Sequence, residues 1–274
     1  MNIVVFVKPV PDPSYYHKIS VDPVRKTLVR DGIPAVINPT DQNALEYALN
    51  MKEQYGGNVI VISMAPLFSQ GVLKKCLAMG ADKAYLISDK AFGGADTFST
   101  SYTLSKAMEK TGVKADLLLC GNESADGATS HVPSQIGEWL GCPHIANVSS
   151  IEIADGKALV SKKMESGSIT YKVKLPALFG VGRDSNSPRL ATAYGVVKLR
   201  DKKIEILTKD DLDVDGSMIG LEGSPTQAGE LITLNMKRSS KEITGDEKEI
   251  AQEIYSLIKK SGICIQGGME NAIK

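Results

Sequence analysis

The hydrophobic and polar positions of the N-terminal half of this chain alternate between short apolar runs and longer amphipathic segments. Amphipathic segments with helical spacing separate the runs. Four runs are continuous and rich in β-branched residues, as is typical of strands buried on both faces: Asn2–Val7, Val59–Met64, Ala84–Ser88 and Asp116–Cys120. The alternation predicts an α/β fold, a mostly parallel sheet with helices on both faces.

Helix starts and a small hairpin are marked by short local signals. Asn38 followed by Pro39 predicts one helix start, and Asp96 as N-cap predicts another. The short runs Ile19–Asp22 and Thr27–Arg30 are expected to pair as a hairpin.

The pattern changes after Pro143. Three segments alternate around Asp-Gly and Ser-Gly turns and predict antiparallel hairpins: Val148–Ile153, Lys157–Glu165 and Ser168–Leu175. Ala177–Val181 again has the pattern of a buried strand.

The C-terminal region has a weaker apolar pattern. Arg189–Lys203 is basic and amphipathic, which on pattern alone favours a solvated helix face. Thr208–Thr244 lacks apolar periodicity and is expected to wrap a partner, and Asp246–Lys260 predicts a last amphipathic helix. We therefore expect a domain at residues 1–205 and an arm with a helix at 206–274.

Two glycine-containing loops follow predicted strands and lead into helices. The stretch Leu117–Ser130, LLLCGNESADGATS, ends in small and hydroxyl-bearing residues: Gly121, Asn122, Ser124, Asp126, Gly127, Thr129 and Ser130. Bare backbone N–H groups at a helix N-terminus bind phosphate. Alone, this loop is equally compatible with an ordinary connection, because it matches neither GxxxxGK[ST] nor GxGxxG. A second such loop, Gly93–Ser101, should lie at the same sheet edge, and together they predict a nucleotide site.

Composition excludes several other function classes. The 274 residues include 32 Lys plus Arg and 32 Asp plus Glu, so no net charge favours nucleic acid or an anionic membrane. The cysteines form no CxxC pair, no histidine cluster predicts a metal site, and no nucleophile motif is present. Without a basic leader or a long apolar run, a cytoplasmic location is expected.

Several segments, in order along the chain, resemble the β subunit of electron-transfer flavoprotein. They are VKPVPD at Val7–Asp12, DGIPAVINPTDQNALEYAL at Asp31–Leu49, CLAMGADKAYLIS at Cys76–Ser88, GADTFSTSYTL at Gly94–Leu104, the GNESADGATS loop, KLPALFGV at Lys174–Val181 and the stretch Ser187–Leu207. The resemblance implies a Rossmann-like domain that binds an adenine nucleotide and a C-terminal arm that embraces an α subunit.

The family contains two kinds of β subunit, and the resemblance favours one. One kind holds AMP as a structural filler, whereas the electron-bifurcating kind holds FAD, next to which NADH docks. Gly93–Ser101 and Asp126-Gly127-Ala128-Thr129 are similar to the bifurcating kind. That kind implies electron transfer to ferredoxin and, through the FAD of the α subunit, to a flavin-dependent dehydrogenase, with no catalytic acid or base in this chain.

The resemblance suggests three groups of cofactor contacts. The contacts to the pyrophosphate and ribose would be Asp96, Thr97, Thr100, Ser101, Thr129, Ser130, His131 and Val132. The contacts to the adenosine would be Asn38, Asp41, Met64 and Ala65. The contacts to the isoalloxazine would be Lys8, Pro9, Val10 and the stretch from Asn122 to Asp126. Asp96 and Asn38 have the alternative of being helix caps only, and Met64 that of being core.

One segment departs from the family pattern. Ala193 and Tyr194 replace the leucine and proline with which many members bind an acyl-CoA dehydrogenase. The partner is therefore open, with a flavin-dependent lactate dehydrogenase or an acyl-CoA reductase as examples. A rival of another class is an adenine-nucleotide hydrolase or adenylating enzyme, which lacks support because no SGGxDS-type loop follows Val7.

Overall fold

The computed structural model describes residues 1–18, 20–21, 28–29, 32–227 and 240–262. The chain divides into two compact units, Met1–Leu231 and Ile232–Lys274. Ile232–Lys274 contains one described helix, at the position of the predicted amphipathic helix, and Asp246 is its N-cap.

The strands and helices have the following bounds. The strands are β1 Asn2–Phe6, β2 Pro9–Pro11, β3 Ser20–Val21, β4 Leu28–Val29, β5 Ala35–Ile37, β6 Asn58–Met64, β7 Lys83–Ile87, β8 Leu117–Gly121, β9 His144–Ala154, β10 Lys157–Met164, β11 Gly167–Lys174, β12 Ala177–Val181 and β13 Ile204–Leu207. The helices are α1 Pro39–Tyr55, α2 Gln70–Met79, α3 Thr97–Thr111, α4 Val132–Trp139, α5 Ala193–Lys198 and α6 Glu247–Lys260.

One sheet of nine strands organises the first unit, in the order β11-β10-β9-β12-β8-β1-β6-β7-β13. Along the sheet from β9 to β13, each strand pairs in parallel with its neighbour. At the other end of the sheet, β10 pairs antiparallel with both β9 and β11. Two small antiparallel pairs, β2 with β5 and β3 with β4, stand apart. The predicted fold class and the predicted hairpins after Pro143 are confirmed. The N-terminal hairpin is confirmed for Ser20–Val21 and Leu28–Val29, and the remaining residues of that prediction lie outside the described ones.

The central strands are buried on both faces because helices cover each side. In β1, Ile3 and Val5 belong to the apolar cluster beneath α1 and α2. Val4 and Phe6 belong to the cluster beneath α3 and α4. This two-sided burial explains why the strand runs are continuously apolar rather than alternating. None of the described helices has both the length and the apolar content needed to cross a membrane.

The segment after β12 differs from the sequence expectation. Arg189–Lys203 contains a helix of only six residues, α5, and the chain then forms edge strand β13 beside β7. The expected boundary after residue 205 falls inside this strand. Beyond it, Leu212 and Ile219 are buried in the cluster with α3, so this part of the expected arm packs on its own domain. The physical reason is that burial in this cluster removes the two apolar side chains from water.

Candidate functional site

A crevice opens where the order of strands reverses. From β1 the chain proceeds to β6 and β7 on one side and then returns to β8 on the other side of β1. Loops leaving the carboxyl ends of β1 and β8 therefore diverge, which is where open α/β sheets bind ligands. Phe6 and Cys120 are paired at this end, followed by Lys8 and by the loop from Gly121 to Ser130, here called the β8 loop.

Asp41, in the first turn of α1, joins the two strand ends. Its carboxylate accepts hydrogen bonds from the backbone N–H of Lys8 at 2.7 Å and of Gly121 at 2.9 Å, and from the Asn38 amide at 3.0 Å. Burial raises the pKa of this carboxyl to about 6, although the hydrogen bonds act in the opposite direction. Asp41 therefore fixes the base of the crevice.

Asn38 and Thr40 hold the β8 loop from the same helix end. Asn38 donates to the carbonyl of Glu123 at 2.8 Å and accepts from the N–H of Ala125 at 3.0 Å. Thr40 donates to the same carbonyl at 2.6 Å. Asn38 occupies the N-cap position of α1, yet its side chain makes no capping hydrogen bond. The polar atoms of Asn38 and Asp41, predicted to line an adenosine pocket, are thus engaged within the protein.

A glycine is required where the β8 loop begins. A Cβ at Gly121 would lie 2.2 Å from the Thr40 hydroxyl and 2.3 Å from a carboxylate oxygen of Asp41. Non-bonded atoms do not approach a Cβ atom this closely. The loop can therefore approach α1 closely only because residue 121 has no side chain.

Lys8 crosses the crevice. Its Nζ lies 2.6 Å from a carboxylate oxygen of Asp126 and 3.1 Å from the hydroxyl of Ser124. The side chain of Asp126 is only 5% exposed and that of Lys8 is 46% exposed. The cation thus neutralises a nearly buried carboxylate and remains accessible from the crevice.

The β8 loop ends in an alternating backbone conformation. Ala128 has a φ of 48° and Ser130 a φ of 56°, in the left-handed region, whereas His131 is right-handed and leads into α4. Alternation of this kind turns successive N–H groups into a concavity that suits an anion. Thr129 and His131 are exposed, Val132 is half-buried, and Ser130 is held by Asn122 at 3.2 Å. The exposed turn at Gly127 is closed by the carbonyl of Ser124.

The second predicted loop, Gly93–Ser101, is here called the α3 loop. Asp96 caps α3 by accepting from the N–H of Ser99 at 3.1 Å, and Thr97 and Thr100 are half-buried in the first turn. Ser101, a predicted pyrophosphate contact, is fully buried. Its hydroxyl donates to the carbonyl of Phe98 at 2.9 Å and accepts from the indole of Trp139 at 3.2 Å. Ser101 therefore packs α3 against α4, and its hydroxyl is not available to a ligand.

A small cleft lies beside the crevice, between the loops that follow β1 and β6. It has a volume of about 70 Å³. Its walls include five of the predicted contacts: Lys8, Pro9, Val10, Met64 and Ala65. Phe68, which the sequence did not suggest, lies at the rim and is 77% exposed. Met64, for which a core position was the alternative, is half-buried at this cleft.

Some residues that build the site were not foreseen. Thr40 lies in the predicted helix start close to Asn38. Its contact with the β8 loop could not be predicted from the sequence, because only the fold brings the two together. Thr226 donates its N–H at 2.9 Å and its hydroxyl at 2.6 Å to Asp96. No signal in the sequence could have found Thr226, because it lies 130 positions from its partner.

Ala193 and Tyr194 lie on a different surface. Both are exposed in α5, and with Leu190, Val196 and Val197 they form an apolar patch, here called the α5 patch. Arg189, just before the patch, binds the buried carboxylate of Glu46 on α1 with its Nε at 3.0 Å. A Cβ at Gly195 would lie 1.9 Å from the carbonyl oxygen of Ala78, so α5 rests directly on the end of α2.

Comparison with known proteins identifies the family. Residues 26–211 match the electron transfer flavoprotein domain. The chain is 43% identical over 255 residues to the electron transfer flavoprotein subunit beta of Thermoanaerobacterium thermosaccharolyticum, covering 93% of this chain and 96% of the relative.

Two further relatives carry names that specify a complex. The chain is 39% identical to the caffeyl-CoA reductase-Etf complex subunit CarD of Acetobacterium woodii, covering 96% of this chain and all of the relative. It is 35% identical to the acryloyl-CoA reductase electron transfer subunit gamma of Anaerotignum propionicum, again covering 96% and 100%. By its domain and by these relatives, the chain belongs to the electron transfer flavoprotein family, among the β subunits.

Proposed function

We propose that this chain is the β subunit of an electron-bifurcating electron transfer flavoprotein, with FAD held at the carboxyl edge of the sheet. NADH is the proposed hydride donor, and ferredoxin and a flavin-dependent dehydrogenase are the proposed electron acceptors, the latter through the FAD of the α subunit. Bound there, FAD would supply the redox chemistry, accepting hydride and releasing electrons singly.

The observation that supports the proposal is that two hydroxyl-bearing loops, the β8 loop and the α3 loop, both lead from the carboxyl edge of the parallel sheet into helices, and that Lys8 lies beside the β8 loop. The β8 loop offers left-handed turns before α4, and the α3 loop offers Thr97 and Thr100 at a helix start. A pyrophosphate needs more donors than a single phosphate, and two loops at helix N-termini provide them. The residues present therefore fit the diphosphate of a dinucleotide.

The roles proposed for this chain are binding and electrostatics. Asp41, Asn38 and Thr40 keep the β8 loop in its binding conformation before a ligand arrives, so little ordering cost is incurred on binding. Lys8 places a positive charge at the crevice mouth, where it favours negative charge on a bound ring or phosphate. No side chain is required to accept or donate a proton.

The names of two relatives add support of a different kind. Both the caffeyl-CoA reductase complex subunit and the acryloyl-CoA reductase subunit are named for CoA reductases. An acyl-CoA reductase of the flavin type is accordingly the favoured dehydrogenase partner for this chain. The alternative function within the family is an AMP-binding β subunit without its own redox role.

The decisive experiment is a nucleotide count. The heterodimer with the α subunit is purified, denatured, and its released nucleotides are quantified by chromatography. We expect two FAD per heterodimer after reconstitution with FAD. One FAD and one AMP per heterodimer would establish the alternative and exclude FAD in this chain.

The α5 patch is the proposed contact for the dehydrogenase partner. Tyr194 is 68% exposed, and the Nζ of Lys198 lies 4.5 Å from the centre of its ring. Large exposed aromatic residues of this kind are frequent anchors of protein interfaces. Tyr194→Ala should weaken electron transfer to the partner at least tenfold, with Lys203→Ala as a surface control. Unchanged transfer in the Tyr194 variant would remove this patch from the interface.

We further propose that the region 206–274 contacts the α subunit. Helix α6 has apolar residues at helical spacing, including Ile254, Tyr255 and Leu257, each more than 40% exposed. Exposed apolar side chains in such a row are typical of a helix that packs against a partner.

A further inference from the structure

Asp96 has two sets of partners at once. One carboxylate oxygen caps α3 through the N–H of Ser99, and the other accepts both the N–H and the hydroxyl of Thr226. Burial raises the pKa of Asp96, but the hydrogen bonds from Thr226 and Ser99 outweigh it, and the pKa lies below its ordinary value. The carboxylate is thus ionised and fully engaged within the protein.

The hydroxyl of Ser224 adds two further hydrogen bonds beside Asp96. Ser224 is 7% exposed; its hydroxyl accepts from the N–H of Asp96 at 2.8 Å and donates to the carbonyl of Gly220 at 2.6 Å. The segment from Gly220 to Thr226 therefore forms one wall of the α3 loop, and we call it the brace segment.

The close packing of the brace segment leaves no room for a side chain at one glycine and little room at another. A Cβ at Gly220 would lie 2.1 Å from the carbonyl oxygen of Ala91, and a Cβ at Gly94 would lie 3.0 Å from the Cβ of Leu221. Both glycines have positive φ, 61° and 76°. The conformation of the α3 loop thus depends on the brace segment, as the brace segment depends on the loop.

The brace segment is also where the chain leaves the sheet domain. Thr226 lies five residues before the end of the first compact unit at Leu231, and the second unit, with α6, follows. The hydrogen bonds of Thr226 therefore connect the first turn of α3, through Asp96, to the part of the chain that precedes the second unit.

We infer that the hydrogen bonds between Thr226 and Asp96 couple nucleotide binding in the crevice to association with the α subunit. Asp96 is then a positioning residue rather than a direct ligand. The inference rests on the proposed function, in which the α3 loop holds the nucleotide and the C-terminal region contacts the α subunit. Thermodynamic linkage requires the coupling to act in both directions: nucleotide tightens subunit association and association tightens nucleotide binding.

The test measures subunit exchange in the heterodimer. Labelled and unlabelled heterodimers are mixed, either loaded with FAD or depleted of nucleotide, and the exchange rate is followed by fluorescence energy transfer. In the wild type we expect depletion to accelerate exchange about tenfold, a typical coupling between sites. In Thr226→Val we expect rapid exchange whether or not FAD is present.

Two controls separate coupling from damage. Thr226→Ser keeps the hydroxyl and should restore the FAD dependence, and Ser217→Ala removes a hydroxyl bonded only within its own turn. Hydrogen exchange at the amides of Thr97 to Thr100 should increase in Thr226→Val and stay unchanged in Ser217→Ala. If Thr226→Val does not fold, the same measurements are made on Asp96→Asn.

The outcomes distinguish failure of the coupling from failure of the proposed FAD site. A heterodimer that binds FAD and whose Thr226→Val variant retains the FAD dependence of exchange would overturn the coupling. Failure of the wild-type heterodimer to bind FAD, with AMP bound instead, would overturn the proposed FAD site. In that case the same exchange assay with AMP tests the coupling.

Discussion

The two loops of the crevice have similar compositions but are held by different parts of the chain. The β8 loop is held by Asn38, Thr40 and Asp41, which belong to the first turn of a helix inside the sheet domain. The α3 loop is held by Ser224 and Thr226, near the exit of the chain from that domain. One loop therefore depends on the core, and the other depends on a segment that leads towards the C-terminal unit.

The carboxylates that anchor the loops differ in the same way. Asp41 is 4% exposed, and burial raises its pKa to about 6. Asp96 is half-buried, and its hydrogen bonds lower its pKa despite the opposing effect of burial. The comparison indicates that burial dominates at the core-held loop and hydrogen bonding at the other.

The largest expected effect comes from removing the core anchor. Asp41→Ala leaves the N–H groups of Lys8 and Gly121 without their acceptor and should lower the free energy of unfolding by about 4 kcal/mol. Urea unfolding at pH 5, where Asp41 is largely neutral, measures this loss of unfolding free energy. Gln54→Ala, at the exposed end of α1, is the control. Equal losses in both variants would contradict the role of Asp41.

The pH dependence should have opposite signs at the two loops. Because the pKa of Asp41 is raised to about 6 in the fold, its contribution is complete below its unfolded pKa near 3.8 and is lost as pH rises through about 6. The difference in unfolding free energy between wild type and Asp41→Asn should therefore fall by about 2 kcal/mol from pH 4 to pH 7.

For Asp96 the sign is reversed. Its pKa is lowered, so its contribution is present above the unfolded pKa and is lost as pH falls through the folded value. The difference between wild type and Asp96→Asn should rise with pH over the acidic range. Slopes of the same sign for both variants would contradict the contrast between the loops.

A substitution in the brace segment should affect one loop only. In Gly220→Ala the new Cβ meets the carbonyl of Ala91 in a left-handed backbone, which should cost about 2 kcal/mol. Hydrogen exchange should increase in the α3 loop and remain unchanged in the β8 loop. Gly216→Ala is the matched control, because a Cβ there has open space apart from the end of Lys209. An equal increase in both loops would mean that they are not independently held.

The smallest expected effect concerns the ion pair across the crevice. Lys8→Met removes a half-exposed cation from Asp126 and should destabilise the fold by about 1 kcal/mol or less. Affinity for FAD, followed by fluorescence quenching, should fall about fivefold, because a favourable charge is lost. Lys8→Arg keeps the charge and should retain most of the affinity. An unchanged affinity in Lys8→Met would remove Lys8 from the site.

Local sequence signals identified much of the fold and part of the site. The continuous apolar runs predicted the buried strands, and Asp96 was correctly placed as a helix cap because capping depends on neighbouring residues. Asn38 was predicted as a cap by the same rule, but its amide binds the β8 loop instead. Ser101 lies in a hydroxyl-rich loop and was therefore predicted as a ligand contact. Its hydroxyl instead accepts a hydrogen bond from the indole of Trp139, a residue distant in sequence.

The sequence by itself determined the strands, the helix starts and the two loops, because each depends on residues adjacent along the chain. The tertiary structure decided which polar atoms remain available at those loops. Asp41 joins two strand ends 80 residues from Gly121, and Thr226 reaches Asp96 across 130 residues. Such contacts arise only when the sheet brings its strand ends together, since hydrogen bonds act over about 3 Å whatever the separation in sequence.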